Sequence, residues 1–379
     1  MRKLFRFFVL ALCLVACAPK GERGGNRDWT IFRGDPALSG YTATALPAKP
    51  KLLWSFQTGP RTVCSPLVRD GVVYWCDRRG MLYGVNEAGK QVYGVDLGTL
   101  IEATPLIYGD VLYIGTIDGH LLAVSLSDGS TVWDYATEGQ ISGAPNRLRF
   151  AGRDAIVVGS YDNWMHCVDA ADGTLLSRFE SGYYLNGAVA AHKQSLLFGG
   201  CDQYVRIIDG AAGTQTDSLL TDAYIPGSPA IVGDVAYIGD YAGNIYEIEI
   251  ADSRFAAHRK IREAEKGEGD FTSIPAVDSK AVYAYTGDRH LAAYSRKDGS
   301  ELWTVLMKGL IGESSPLVCR DKVLACTKLG IISIFDKDDG RLLWEYDAGE
   351  DILGSPAVVK GRFYVLTAKG TLLCFGNKK

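Results

Sequence analysis

The sequence has 379 residues and a formal net charge of −4, with 22% charged residues. No basic stripe is visible that could neutralise phosphates, so a nucleic-acid partner is not expected. With 47% hydrophobic residues, 44 glycines and 20 tyrosines, the composition is typical of a folded chain with many turns and excludes a disordered one.

The N-terminus has the features of an export signal. Arg2, Lys3 and Arg6 precede an apolar run at residues 7–15, which is too short to persist as a transmembrane helix. The run ends in Leu-Val-Ala-Cys17, which resembles the lipobox of bacterial lipoproteins and implies cleavage after residue 16 and lipid on Cys17. Ala18 resembles the pattern that is sorted to the outer membrane of Gram-negative bacteria. The alternative is an ordinary secretory signal in which the cysteine stands by chance.

The body of the chain is built from a repeated unit of about forty residues. The spacing of Ala123–Trp133, in which an Asp-Gly turn precedes a tryptophan, returns at 293–303 and 334–344, and at 167–177 with serine in place of the tryptophan. A second anchor, a small residue before proline, recurs every 39 to 46 residues, with Ala188-Val189 filling one position without a proline and Ile274-Pro275 as a looser match. Together these anchors define eight copies, and a unit of this length fits a four-stranded propeller blade.

Each unit is predicted to contain four strands and almost no helix. In the second unit the strands are predicted at Ala103–Tyr108, Val111–Gly115, His120–Ser125 and Thr131–Ala136, because alternating apolar and β-branched residues are separated by Gly-Asp or Asp-Gly turns. The charged stretch Arg254–Gly269 is interpreted as a strand followed by an extended loop.

The two ends of the repeat array predict how the ring closes. The last unit stops after Thr371–Phe375 without an outer strand, and the missing strand is found before the first unit as Leu52–Phe56. We therefore predict an all-β fold, an eight-bladed β-propeller of four-stranded antiparallel blades in which the N-terminal strand completes the last blade. The tryptophans of the outer strands are expected to pack between neighbouring blades, far from the axis. The predicted division is a signal peptide at 1–16, a lipidated cysteine with tether and lead-in at 17–50, and the propeller at 51–379.

Seven cysteines remain once Cys13 leaves with the signal and Cys17 carries lipid. Cys64 and Cys76 fall in one predicted hairpin with side chains on opposite faces of the sheet, which makes a disulfide between them geometrically poor. The cysteines are interpreted as small core residues, and no metal site is expected since no C-x-x-C or H-x-x-x-H accompanies them.

The Asp-Gly-x-x-x-Trp pattern resembles the tryptophan-docking motif of quinoprotein-type (PQQ-like) eight-bladed propellers. With the lipobox and no extra domain, the chain is similar to the BamB family, the propeller lipoproteins of the outer-membrane β-barrel assembly machine. That resemblance implies a non-catalytic scaffold without a cofactor, lipid-anchored to the periplasmic face of the outer membrane, which docks on the barrel-assembly protein. Part of the family's docking surface is the loop entering the fourth blade, where Tyr183, Tyr184 and Leu185 are the candidate contacts. The family's leucine/arginine pattern is missing there, and a loop that only covers its own blade is an equally open interpretation.

The alternative function is a quinoprotein-like propeller that binds a small ligand such as PQQ or a sugar, or a relative of the dehydrogenases. Those enzymes use an adjacent cysteine pair, and no Cys-Cys occurs here. The turns on one face of the ring supply a candidate polar rim that could hold such a ligand or a peptide, although a solvated rim has the same pattern. The rim candidates are Arg78, Arg79, Asp118, Trp164, Gln203, Arg289, His290 and Lys328.

Overall fold

The structure is a computed structural model that describes residues 27–150, 152–265, 273–287 and 289–377. The predicted signal peptide and Cys17 therefore lie outside the described residues. Within them the chain forms eight four-stranded antiparallel sheets, and the innermost strands of neighbouring sheets contact one another to form a ring. The eight-bladed propeller predicted from the repeats is confirmed.

The strands are numbered in chain order, and the blades are numbered from the first complete unit. The first strand, β1 (Lys51–Gln57), belongs to blade 8. Blade 1 contains β2 (Leu67–Arg69), β3 (Val72–Cys76), β4 (Met81–Asn86) and β5 (Gln91–Asp96). Blade 2 contains β6 (Leu106–Tyr108), β7 (Val111–Gly115), β8 (His120–Ser125) and β9 (Thr131–Ala136). Blade 3 contains β10 (Asn146–Phe150), β11 (Arg153–Gly159), β12 (Trp164–Asp169) and β13 (Leu175–Glu180). Blade 4 contains β14 (Ala190–His192), β15 (Ser195–Gly199), β16 (Tyr204–Asp209) and β17 (Thr214–Leu220).

The second half of the ring follows the same order. Blade 5 contains β18 (Ala230–Val232), β19 (Val235–Gly239), β20 (Ile245–Ala251) and β21 (Arg254–Arg262). Blade 6 contains β22 (Ala276–Val277), β23 (Ala281–Tyr285), β24 (His290–Ser295) and β25 (Glu301–Leu306). Blade 7 contains β26 (Leu317–Val318), β27 (Lys322–Cys326), β28 (Ile331–Asp336) and β29 (Leu342–Asp347). Blade 8 contains β30 (Ala357–Val359), β31 (Arg362–Leu366) and β32 (Thr371–Gly376), with β1 as its outer strand. A 3-10 turn lies at Phe32–Gly34.

The strands predicted in the second unit are confirmed, with one boundary difference. The innermost strand β6 begins at Leu106 and not at Ala103, because Pro105 has no N–H to donate to a ladder. The strand predicted at the start of Arg254–Gly269 is β21, and residues 266–269 of that stretch lie outside the described residues.

The ring closes as predicted from its ends. β1 pairs antiparallel with β32, so that Trp54 lies opposite Cys374 and Phe56 opposite Leu372. Blade 8 therefore joins the two ends of the propeller through backbone hydrogen bonds, and β32 is paired along both of its edges.

Every outer strand carries a β-bulge at the same place, and the bulge aims one side chain at the next blade. We call this position the docking slot. It holds Trp54, Tyr93, Trp133, Ser177, Asp217, Ala257, Trp303 and Trp344 in blades 8 and 1 to 7 respectively. The predicted structural role of the tryptophans is confirmed, since the ring of Trp133 lies against Gly173 of the next blade and that of Trp303 lies against Gly340.

The small residue before proline, the second repeat anchor, holds the inner ends of the blades together. The N–H of Ser65 donates to Thr104 Oγ1 at 2.8 Å, and Ser65 Oγ accepts from the N–H of Ser355 at 2.8 Å. The N–H of Ser315 in turn donates to Ser355 Oγ at 3.0 Å. These bonds run from blade 7 through blade 8 to blades 1 and 2, and so they cross the junction between the chain ends.

The lead-in at residues 29–44 plugs the central channel, which the sequence did not reveal. Its backbone bonds to inner strands around the ring, beginning with Trp29, whose N–H and C=O both pair with Val68. The N–H of Ile231 donates to Ala37 O, that of Val277 to Ser39 O and that of Val318 to Gly40 O, each at 2.9 Å. The plug thus satisfies backbone groups that the innermost strands would otherwise turn toward an open channel.

Arg33 anchors the plug and is only 1% exposed. Its guanidinium donates to Leu38 O at 3.1 Å, to Pro316 O at 3.1 Å and to Pro275 O at 2.6 Å. Burial lowers the pKa of Arg33 to about 9. The side chain therefore ties the plug to blades 6 and 7. Arg33 also begins an Arg-Gly-Asp triplet at residues 33–35, and its burial makes the arginine of that triplet inaccessible to a receptor.

The seven described cysteines are free thiols, and all except the half-buried Cys201 are buried. Arg69 faces Val72 in the first hairpin, and this register is the one in which the side chains of Cys64 and Cys76 point to opposite faces of the sheet. The interpretation of these cysteines as core residues is confirmed for the buried six.

Candidate interaction face

The two faces of the ring differ in what they present. We call the funnel face the one formed by the loops that enter each blade and the turns between second and third strands. At its centre is a throat of about 190 Å³, lined mostly by small or hydroxyl side chains from all around the ring, together with Glu102, Glu313 and Phe32 of the plug. This volume is below the range of about 300 to 1,000 Å³ usual for small-molecule sites.

The predicted rim residues lie on the funnel face but are spread round the ring. Arg78 Nε pairs with Glu102 Oε1 at 2.7 Å, and Asp118 Oδ2 accepts from Thr99 Oγ1 at 2.7 Å. The guanidinium of Arg178 lies 4.3 Å from the centre of the Trp164 ring. None of the eight candidates lines the throat. The remaining candidates are Arg79, Gln203, Arg289, His290 and Lys328, on blades 1, 4, 6, 6 and 7 respectively.

Two rim residues adopt a backbone conformation that usually favours glycine. Gln203 and Arg289 end their turns with φ angles of 71° and 68°, at the place where Gly80, Gly119 and Gly330 stand in other blades. Their backbone is left-handed, which costs a residue with a side chain more than it costs glycine. The structure therefore distributes the rim over separate turns and does not bring it together as one site.

Two groups of stacked tyrosines lie on the funnel face over blades 3 to 5, and we call them together the tyrosine arc. Tyr184 stacks on Tyr161 with ring centres 5.1 Å apart and contacts Tyr183 at 4.6 Å. Farther along, Tyr224 stacks on Tyr241 at 4.3 Å. Tyr183 is 50% exposed, Tyr184 42% and Tyr224 36%. Exposed aromatic side chains that are already stacked present a large apolar area with little conformational freedom to lose on binding.

The third candidate in the docking loop, Leu185, is not accessible, which corrects the prediction. Leu185 is 1% exposed and packs into the core beneath the tyrosines, where its Cβ lies against Gly159. Tyr183 and Tyr184 are both exposed, and the chain turns inward at Leu185, whose side chain is buried. A partner can therefore contact Tyr183 and Tyr184 but not Leu185.

A charged pair underlies the turn at the middle of the arc. Arg206 Nη1 and Nη2 bind the two carboxylate oxygens of Asp202 at 2.9 and 2.5 Å. Burial would raise the pKa of Asp202, but the hydrogen bonds and charge of Arg206, together with backbone N–H groups, outweigh it and lower that pKa below its usual value. The turn of blade 4 is thus held in one arrangement between the two stacked tyrosine groups.

A family model described as outer membrane protein assembly factor BamB matches residues 42–178, 140–287 and 265–378. These matches span nearly the whole propeller. The chain belongs to the BamB family.

Relatives in the BamB family match over most of their length. The outer membrane protein assembly factor BamB of Shewanella oneidensis is 23% identical over 375 residues, which cover 88% of this chain and 91% of the relative. The crystal structure of BamB from Moraxella catarrhalis superposes with a TM-score of 0.72 at 18% identity, over 87% of this chain and 98% of the other.

A quinohemoprotein alcohol dehydrogenase has the same fold as this BamB-family chain. The enzyme from Comamonas testosteroni superposes with a TM-score of 0.75 at 13% identity, over 93% of this chain and 81% of the enzyme. At these identities the structural likeness establishes the propeller and nothing about chemistry.

Sequence reasoning found part of the candidate face of this BamB-family chain and missed the rest. Tyr161 and Tyr241 each stand at the second residue of a turn between second and third strands, a recurring position where an aromatic residue is a usable signal. Sequence reasoning also missed a group of exposed leucines on blades 6 and 7. Leu306, Leu310 and Leu329 are each more than half exposed. In the described part of the chain no helix is long and apolar enough to span a membrane, and no group of His, Cys, Asp and Glu is arranged to hold a metal ion.

Proposed function

We propose that this BamB-family chain is a non-catalytic, lipid-anchored scaffold on the periplasmic face of the outer membrane, which docks on a protein partner during assembly of outer-membrane β-barrel proteins. The observation that carries the proposal is the tyrosine arc, a pre-stacked aromatic surface on the funnel face. Buried aromatic anchors dominate the energy of many protein interfaces. The names of the relatives, outer membrane protein assembly factor BamB, support the process that we assign to it.

The small throat supports a scaffold over a ligand-binding role. Its lining consists mostly of small side chains, with Phe32 of the plug and only two charged groups, Glu102 and Glu313. Among the charged candidates of the rim, Arg78 is paired with Glu102, and Asp118 accepts a hydrogen bond from Thr99. Binding energy on this face is therefore concentrated in exposed aromatic area and not in a concave polar site.

The path of the lead-in supports anchoring from the opposite face. The Asp28 carboxylate accepts from the N–H of Asp70, in the turn between β2 and β3, and that turn lies on the face opposite the tyrosine arc. Cys17 and Arg27 are ten positions apart in the sequence, and an extended chain of that length spans at most about 35 Å. A lipid on Cys17 would thus hold the propeller by one face and leave the funnel face free for a partner.

Affinity capture from detergent-solubilised outer membranes tests the proposal. The wild-type chain should recover the barrel-assembly protein, and the double variant Tyr183→Ala/Tyr184→Ala should recover about tenfold less, as expected when two aromatic anchors are removed. The matched control is Leu306→Ala/Leu310→Ala, which removes exposed apolar area from the same face on blades 6 and 7. Recovery that is unaffected by the tyrosine variant but lost in the leucine variant would contradict the assignment of the docking surface. Recovery of unrelated envelope proteins alone would contradict the proposed process.

A further inference from the structure

On one half of the ring, a row of hydrogen bonds joins the inner ends of the blades. Each bond runs from the N–H of the residue before proline to the hydroxyl of the equivalent residue in the next blade. The N–H of Ile274 donates to Ser315 Oγ, and the same bond links Ser315 to Ser355, Ser355 to Ser65 and Ser65 to Thr104, over 2.8 to 3.0 Å. All five residues line the throat. The backbone donors of blades 6, 7, 8 and 1 are therefore satisfied at its wall.

On the other half of the ring the equivalent N–H groups have no acceptor. They belong to Thr104, Ala144, Ala188 and Ser228 in blades 2 to 5, and none of them makes a hydrogen bond to any residue that the structure describes. The accepting hydroxyl is missing after blades 2, 3 and 5, because the next residue of the row is Ala144, Ala188 or Ile274. All four donors belong to buried residues. Buried backbone N–H groups are nearly always paired in native proteins, so an acceptor from outside the chain is expected here.

These four N–H groups follow one another along one wall of the throat, and we call them the amide row. In the paired half of the ring the same groups point to hydroxyls that line the throat, and all four residues of the amide row belong to that lining as well. The loops that carry the row are packed backbone to backbone. A Cβ at Gly143 would lie 2.6 Å from Gly187 O, and one at Gly187 would lie 3.0 Å from Gly227 O. The donors are thus held in place before any ligand arrives, which lowers the entropic cost of binding.

The lining favours an acceptor that carries a single negative charge. Rows of backbone N–H groups are established anion sites in proteins. A carboxylate has about four lone-pair positions, which matches the four donors of the amide row. The described lining contains neither lysine nor arginine, so a doubly charged phosphate would have no counter-ion. The throat of about 190 Å³ has room for such a group and for few further atoms.

Two carboxylates of the chain itself also line the throat, but neither occupies the amide row. Glu102 is paired with Arg78 at 2.7 Å. Glu313 is exposed in the loop that enters blade 7, and in a ring of eight blades this position is opposite blade 3. Glu313 therefore opposes an anion from the far side of the throat, and its removal should strengthen the binding of an anion.

We propose that the throat binds a carboxylate group of a polypeptide, supplied by a C-terminus or by an acidic side chain, through the amide row. The plug fills the channel behind the throat, so the ligand enters from the funnel face, and the small volume admits the end of a larger molecule. Ser142 in the same lining accepts from Gln140 Nε2 at 3.2 Å, which leaves its own O–H to donate to the ligand. The proposal does not rest on the docking role of the tyrosine arc.

The test uses the full chain labelled with ¹⁵N-alanine and follows the amide resonances of Ala144 and Ala188 by nuclear magnetic resonance. N-acetylglycine presents a C-terminal carboxylate, N-acetylglutamate α-amide presents a side-chain carboxylate, and N-acetylglycinamide is the uncharged control. At least one of the two carboxylates should move both resonances in a saturable manner, with an affinity at least about tenfold above that of the control. Whichever of them binds more tightly identifies the source of the carboxylate.

Substitutions that supply the missing hydroxyl should compete with the ligand from within. Ala144→Ser gives the N–H of Thr104 an internal acceptor and is measured at Ala188, whereas Ala188→Ser does the same for Ala144 and is measured there. Each should weaken carboxylate binding by about tenfold, because one donor is lost to the ligand. The matched control is Ala88→Ser, in an exposed turn on the opposite face, which should leave binding unchanged.

Glu313→Gln keeps the test decisive if the serine variants do not fold, because it changes only the charge of an exposed side chain. This variant should bind the carboxylate severalfold more tightly. Weaker binding would show that the throat prefers a cation and would overturn the proposal. A lack of saturable shifts with both carboxylates would show that the amide row binds water only, which would also overturn it. Inorganic phosphate that binds as tightly as the better carboxylate would contradict the assigned chemistry.

Discussion

The contribution of a single docking tryptophan can be worked out at the junction between blades 2 and 3. Trp133 is 8% exposed, packs against Tyr113 at 5.6 Å between ring centres, and covers Gly173. Burying about 200 Å² of a tryptophan side chain at about 25 cal/mol/Å² corresponds to about 5 kcal/mol. Partial burial in the unfolded chain reduces this to about 3–4 kcal/mol, which agrees with the usual range for Trp→Ala in a core.

We therefore expect Trp133→Ala to lower the free energy of unfolding by about 3–4 kcal/mol. The next junction supplies an internal comparison, because Ser177 fills its slot with one hydrogen bond to Gly210 O at 2.6 Å. Ser177→Ala should cost only about 1–2 kcal/mol, since one buried carbonyl loses its partner. Urea unfolding followed by tryptophan fluorescence and circular dichroism measures both, with the exposed Val132→Ala as control. If Trp133→Ala shifted the urea midpoint of unfolding no more than Val132→Ala does, the side chain in the docking slot would not stabilise the contact between blades.

Three further predictions follow from the buried groups and the throat. Burial raises the pKa of the Cys64 thiol to about 12, so iodoacetamide at pH 8 should label the half-buried Cys201 first and leave Cys64 unlabelled until the chain unfolds; equal labelling rates by mass spectrometry would contradict the packing. Burial would raise the pKa of Asp278, but the hydrogen bond from Lys337 Nζ at 2.9 Å helps to lower it below the usual value. Lys337→Met should therefore cost about 3 kcal/mol at pH 7, and the difference from wild type should shrink as the pH falls below about 4, through the lowered pKa of Asp278; a difference independent of pH would count against the pair. PQQ with Ca²⁺ should leave the melting temperature and the absorbance spectrum unchanged, and a clear shift in either would revive the ligand-binding alternative.

The ring of eight blades could be predicted because every blade carries the same sequence signals. The Asp-Gly-x-x-x-Trp spacing and the residue before proline both proved to be contacts between blades, at Trp133 and at Ser65 for example. Such signals recur every forty residues, so each copy confirms the others. The closing strand could be predicted from the same regularity, since one strand was missing at one end and present at the other.

The plug could not be predicted, because it does not repeat. Residues 29–44 bond to the inner strands mainly through backbone groups, which any sequence supplies, and the buried guanidinium of Arg33 is the exception. The prediction that Leu185 contacts a partner was wrong for a related reason. Residues in a loop follow no regular spacing, so the sequence does not show which side chains face solvent.

The central claim is that the tyrosine arc is the surface that meets the barrel-assembly protein, and crosslinking in living cells tests it most directly. A photoreactive amino acid is placed at Tyr184, and in a separate variant at Lys90, which is exposed in the turn before β5 on the opposite face. The account predicts a crosslink to the barrel-assembly protein from position 184 and none from position 90. A crosslink to that protein from position 90 alone, or from neither position in a chain that is correctly exported, would contradict it.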